Sequence, residues 1–105
     1  MSEDRLFEEL VQGQHARELL DNPVFQEIWT NLEQQIVKEL KRSSPRDADG
    51  REKAILMLQL LEKLKSMIQQ SIDTGKMASL EITRKQTLLD QAKQWIGRDG
   101  LIRSN

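Results

Sequence analysis

The densest apolar run in this chain is Ala54 to Leu61, which has the sequence Ala-Ile-Leu-Met-Leu-Gln-Leu-Leu. A helix through this run, at about 100° per residue, gathers most of the apolar side chains on a stripe roughly 160° wide. Ile55 and Leu58 fall outside that stripe, so the front of the helix is apolar nearly all round. A helix of this kind needs more than one neighbouring surface. The stripe consists of Leu56, Met57, Leu60, Leu61, Leu64, Met67, Ile68 and Ile72.

The composition favours a single domain of amphipathic helices over residues 1–105. Apolar residues make up 37% of the chain and charged residues 31%, with 5 Gly and 2 Pro. There is no cysteine, so disulfides and thiolate metal sites are excluded. No segment approaches the roughly 18 uncharged residues that a membrane span requires, and the acidic N-terminus is unlike a signal peptide. We therefore expect no membrane partner.

Capping and turn signals divide the chain into helices. Gly13 weakens the first helix and predicts a hinge within it. Asn22-Pro23 combines an N-cap residue with proline at the first helical position. The segment 43–50 has the composition of a linker, and Gly75 is placed to end the third helix in a left-handed conformation. Together these signals predict helices over 3–20, 23–42, 49–74 and 79–96, with a flexible tail over 97–105.

Four helical segments joined by short turns predict an all-α fold. The arrangement expected is an antiparallel helical bundle of about four segments, or two αα-hairpins, in which the longest helix spans about 49–74. No segment has the alternating pattern of a β-strand.

Residues suited to catalysis or metal binding are scarce. The single histidine, His15, has no fixed acidic partner nearby in sequence. The acidic group formed by Asp47, Asp49 and Glu52 lacks the pattern of a calcium loop and is better suited to capping a helix. No glycine-rich phosphate loop is present. We expect no enzyme activity, catalytic residue, metal site or cofactor.

A basic set near the C-terminus supports an alternative function, a small DNA-binding or DNA-packaging protein. It comprises Arg84, Lys85, Lys93 and Arg98. However, these residues do not share one narrow helix face, acidic residues interrupt them, and the net charge of −1 gives little general attraction to nucleic acid. Nucleic acid is therefore the less favoured partner.

Protein–protein contact is the favoured mode of action. Ile55 and Leu58 lie at the edge of the apolar stripe, and Leu101 and Ile102 form an isolated apolar pair in the polar tail. An apolar edge on a small helical protein is typical of an association surface. These four residues are the predicted interface with a protein partner or a second copy of the chain.

Three segments between residues 16 and 78 carry a resemblance to a known family. They are Ala16 to Phe25 (ARELLDNPVF), Pro45 to Lys53 (PRDADGREK) and Thr74 to Ala78 (TGKMA). In these segments the chain resembles small all-helical proteins of tailed bacteriophages and prophages that are encoded near virion-assembly genes. The resemblance implies a phage protein of the host cytoplasm or the virion, and it implies no catalytic residue.

The predicted function is therefore a non-enzymatic phage protein acting by protein–protein contact, as an oligomeric or accessory factor in virion (head) assembly. DNA binding or packaging is one alternative. A host-directed inhibitor protein is another.

Overall fold

A computed structural model of the chain describes residues 3–97. It contains three helices, α1 Glu3–Asp21, α2 Pro23–Arg42 and α3 Ala48–Trp95. No strand occurs over this range. The all-helical prediction is confirmed, whereas the bundle of four segments is not, because the last two predicted helices are one.

The boundary between α1 and α2 is set by Asn22 and Pro23. The Asn22 side chain accepts hydrogen bonds from the backbone N–H groups of Val24 (2.8 Å) and Phe25 (3.1 Å), and Pro23 occupies the first helical position. Asn22 therefore satisfies amides that have no partner within the helix. The predicted hinge at Gly13 is wrong, since α1 is continuous through that residue.

A short loop, residues 43–47, reverses the chain between α2 and α3. At its end Asp47 accepts a hydrogen bond from the backbone N–H of Gly50 (2.9 Å) and caps α3. The acidic group of the sequence thus contributes a helix cap, as its position before the apolar run predicted.

Helix α3 runs for 48 residues, which corresponds to about 72 Å. The predicted helix end at Gly75 and new cap at Ser79 are wrong. No glycine in the described range has a positive φ, so Gly75 keeps helical geometry and does not terminate the helix. A glycine inside a helix costs about 1 kcal/mol of stability relative to alanine. The close contact of Gly75 with Gly13 of α1 accounts for a glycine at this position.

The three helices form one long hairpin and no compact bundle. Leu6 lines a groove with Ala78, Gly13 touches Gly75, and Leu20 lines a groove with Lys65. Residue numbers thus rise along α1 as they fall along α3, so that α1 and α2 follow one another antiparallel to α3. The molecule measures 89 × 25 × 16 Å.

The buried core is thin and follows the line of contact between the two legs of the hairpin. Five apolar residues are buried in the described range, namely Leu6, Ile36, Ala54, Ile72 and Ala78. Along α3 most buried and half-buried positions follow the three- and four-residue spacing of a two-stranded coiled coil, with a gap at Lys65, which is exposed. These inward positions include Ala54, Leu58, Leu61, Ile68, Ile72, Gly75, Ser79 and Ile82.

Candidate functional site

The closest approach between the legs of the hairpin is a contact between two glycines. A Cβ atom on Gly13 would lie 2.8 Å from the Gly75 Cα and 3.0 Å from the Ser71 carbonyl oxygen. A Cβ atom on Gly75 would lie 2.8 Å from the Gly13 Cα and 3.1 Å from the Glu9 carbonyl oxygen. The two backbones are therefore in contact, with no side chain between them, and the register of α1 on α3 is set at this point.

Two rows of large apolar side chains remain exposed near the loop end of the hairpin. One row is on α2 and the other on α3, and the side chains of both are 40% to 68% exposed. We call the two rows together the apolar face. It consists of Val24, Ile28 and Leu32 on α2 and Leu56, Leu60, Leu64 and Met67 on α3.

Both rows lie on the same side of the hairpin. On each helix, the centre of the exposed row is roughly 90–100° around the helix axis from the residues that face the other leg, and it is displaced in the same rotational sense on both helices. Because α2 and α3 are antiparallel, an equal rotation away from their line of contact brings both rows to the same side of the hairpin. The rows also share a level, because Leu20 and Trp29, which bracket Val24 and Ile28, line a groove with Lys65 of α3.

The seven members of the apolar face recur every three or four residues along α2 and α3. By its composition it resembles the inner surface of a helical bundle more than a solvated helix surface. Soluble monomers rarely expose a continuous apolar surface of this kind unless it binds something.

Part of the stripe predicted to face the other helices is instead exposed. Leu61, Ile68 and Ile72 do face the other leg of the hairpin, but Leu60 is 68% exposed and Leu64 is 46% exposed. On α2, likewise, Phe25, Trp29 and Ile36 lie inward while Ile28 is exposed. The sequence signal for an additional surface was the width of the stripe, which exceeds what one neighbouring helix can cover.

The structure separates Ile55 from Leu58, the two predicted interface residues within the described range. Leu58 is half-buried on the inward line of α3. Ile55 is exposed, but about 135° around α3 from the centre of the apolar face. Leu101 and Ile102 lie outside the described residues. The apolar face was not among the predicted site residues.

Of the four basic residues proposed for nucleic acid, the three within the described range do not gather on one surface. Arg84 forms a two-pronged ion pair with Glu81, with its Nη2 2.8 Å from Oε1 and its Nε 3.2 Å from Oε2. This hydrogen bond lowers the pKa of Glu81 and raises the pKa of Arg84, so both groups stay charged and paired. Lys85 is half-buried against α1, Lys93 is exposed, and Arg98 lies outside the described residues.

Within residues 3–97 no group of three or more His, Asp or Glu side chains is arranged to hold a metal ion. His15 is exposed on α1. None of the described helices is long and apolar enough to cross a membrane.

Comparison with known proteins finds no matching family model, no matching curated protein and no matching solved structure. The apolar face is therefore interpreted from its own geometry. The phage resemblance stays a prediction from the sequence.

Proposed function

We propose that the protein acts without catalysis, as a helical hairpin that binds protein through its apolar face. The observation that carries the proposal is the exposure of seven large apolar side chains on one side of α2 and α3. Burying a leucine-sized side chain is worth roughly 1.5–3 kcal/mol. The seven side chains are already partly buried, so covering the whole face provides on the order of 5–10 kcal/mol towards association.

The biological setting proposed is the assembly of a larger protein complex. The resemblance of residues 16–78 to small phage proteins suggests that this complex is a virion or its head. Long, thin hairpins suit such a role because they present a large surface for their mass and can lie along a partner helix. An oligomeric or accessory factor fits this description.

The experiment compares two tagged variants in cells that naturally produce the chain. Ile28→Glu places a charge in the apolar face, whereas Leu80→Glu places one on an exposed residue of α3 pointing away from that face. We expect the wild type and Leu80→Glu to retain the same partner protein, which can be untagged copies of the chain itself, and Ile28→Glu to lose it. Equal retention by both variants would contradict the proposal.

A further inference from the structure

We infer that the apolar face is covered by a second copy of this chain, so that two hairpins pack face to face as a four-helix dimer with both loops at the same end. This inference rests on the proposed function and specifies its partner. Three observations carry it: the accessible surface of the chain, the position of a second apolar cluster, and the charges at the loop end of the face.

The surface left exposed by one chain matches what a stable dimer buries. The chain has 8706 Å² of accessible surface, whereas a compact monomer of its mass has about 6,100 Å². An excess of at least ~1,000 Å² remains when the ten undescribed residues are counted as fully solvated. Two such chains supply roughly 2,000 Å² or more, which lies in the range of permanent dimer interfaces.

A second cluster of exposed apolar residues determines the direction of packing. Helix α3 extends beyond the start of α1, because Leu6 lies level with residues 78–85. The extension carries the apolar tip, formed by Leu88, Leu89, Trp95 and Ile96. When both hairpins point the same way, one two-fold axis along their length brings the two apolar faces together and the two apolar tips together. Hairpins packed in opposite directions can match the faces but leave both tips uncovered.

Charges at the loop end are consistent with this direction. Continuing the two rows of the apolar face towards the loop leads to Glu39 on α2 and to Lys53 on α3, both exposed. In the same-direction dimer α2 of each copy lies on α3 of the other. Glu39 of each chain then faces Lys53 of its neighbour, which gives two opposite-charge pairs at the rim. Every adjacent helix pair is also antiparallel, as in an up-down-up-down bundle.

The first test measures the mass in solution over a wide concentration range by sedimentation. We expect the wild type to have twice the chain mass of 12.2 kDa. Leu60→Glu places a carboxylate in the face of each copy and should raise the dissociation constant by on the order of a hundredfold or more. The matched control is Leu80→Glu, the same substitution on the same helix at a residue of nearly equal exposure, 66% against 68%. It should remain dimeric.

A wild type that stays at 12.2 kDa at every concentration, or equal weakening of the dimer by both variants, would overturn the inference. Neither result would contradict the proposed function, which depends on retention of any protein partner by the apolar face. Loss of partner binding in cells by Ile28→Glu, with a monomeric wild type in solution, would point to a different protein as the occupant.

The second test addresses direction and uses the absence of cysteine from the chain. Ser44→Cys introduces a single thiol in the loop, where it is exposed. With both loops at one end, a short bis-maleimide reagent should join two chains at this position. The same reagent should fail when Leu60→Glu is added to Ser44→Cys. A dimer that does not crosslink through Cys at position 44 would overturn the same-direction arrangement.

Discussion

Gly13 and Gly75 illustrate how a single residue type can have opposite effects on a helix and on the fold. Each weakens its own helix by about 1 kcal/mol relative to alanine. Together they allow α1 and α3 to touch backbone to backbone, which neither could do with a Cβ atom. The loss in helix propensity is therefore offset by the packing of Leu6 and Ile72 on either side of the contact.

We predict that Gly13→Ala destabilises the protein although it improves helix propensity. Its Cβ would lie 2.8 Å from the Gly75 Cα, and backbone atoms cannot move aside as a flexible side chain can. We expect a net loss of about 1–3 kcal/mol in the free energy of unfolding, measured by urea denaturation. Gly97→Ala is the control, because nothing lies within 4 Å of its Cβ position. Equal or greater stability for Gly13→Ala would contradict the close contact.

At the scale of the helices, the sequence predicted boundaries well where a cap defines them. Asn22 with Pro23 fixes the start of α2, and Asp47 fixes the start of α3. These signals are local, since the capping side chain bonds to amides only two or three residues away. The break at Gly75 was wrong because glycine ends a helix in one context and permits a close helix contact in another. Only the partner residue Gly13, 62 positions earlier in the sequence, distinguishes the two.

The division of the apolar stripe was also only partly predictable. A helical wheel at 100° per residue merges Leu60 and Leu61 into one surface. In the structure, however, Leu61 faces the other leg of the hairpin and Leu60 faces solvent. The inward line includes Ala54, Gly75 and Ser79, whose small side chains contribute little to an apolar pattern. The three- and four-residue intervals that link these residues to larger inward neighbours, such as Leu58 and Ile72, are the signal that could have separated the two surfaces.

The two ends of α3 should differ in local stability. Residues from Ala54 to Ile82 pack against α1 or α2, whereas those after Lys85 extend past the start of α1 and stand alone. A helical segment without tertiary contacts is marginal in water. At low protein concentration we expect amides over 88–95 to exchange with solvent at least ten times faster than those over 58–75, measured by hydrogen–deuterium exchange. Uniform protection along α3 in a monomeric sample would contradict this prediction.

At the scale of the whole molecule, shape and stability are linked. The radius of gyration is 24.2 Å, whereas a compact chain of this length has a value of about 13 Å. Such a shape cannot enclose its apolar residues, and 18 large apolar side chains in the described range are exposed. The intramolecular core is limited to a single line of contact, so the dimer inferred above would add free energy to a hairpin that has a small core of its own.

We therefore predict that the melting temperature of the wild type rises with protein concentration. When unfolding is coupled to dissociation of a dimer, mass action favours the folded state as concentration increases. For two chains of this size, each tenfold increase should raise Tm by on the order of 3 °C, measured by circular dichroism or calorimetry. Leu80→Glu should keep this concentration dependence, and Leu60→Glu should lose it. At high protein concentration, the Tm of Leu60→Glu should also be lower than that of the wild type. A wild-type Tm that is independent of concentration would mean that the single hairpin is stable alone, with its apolar face left open to another partner.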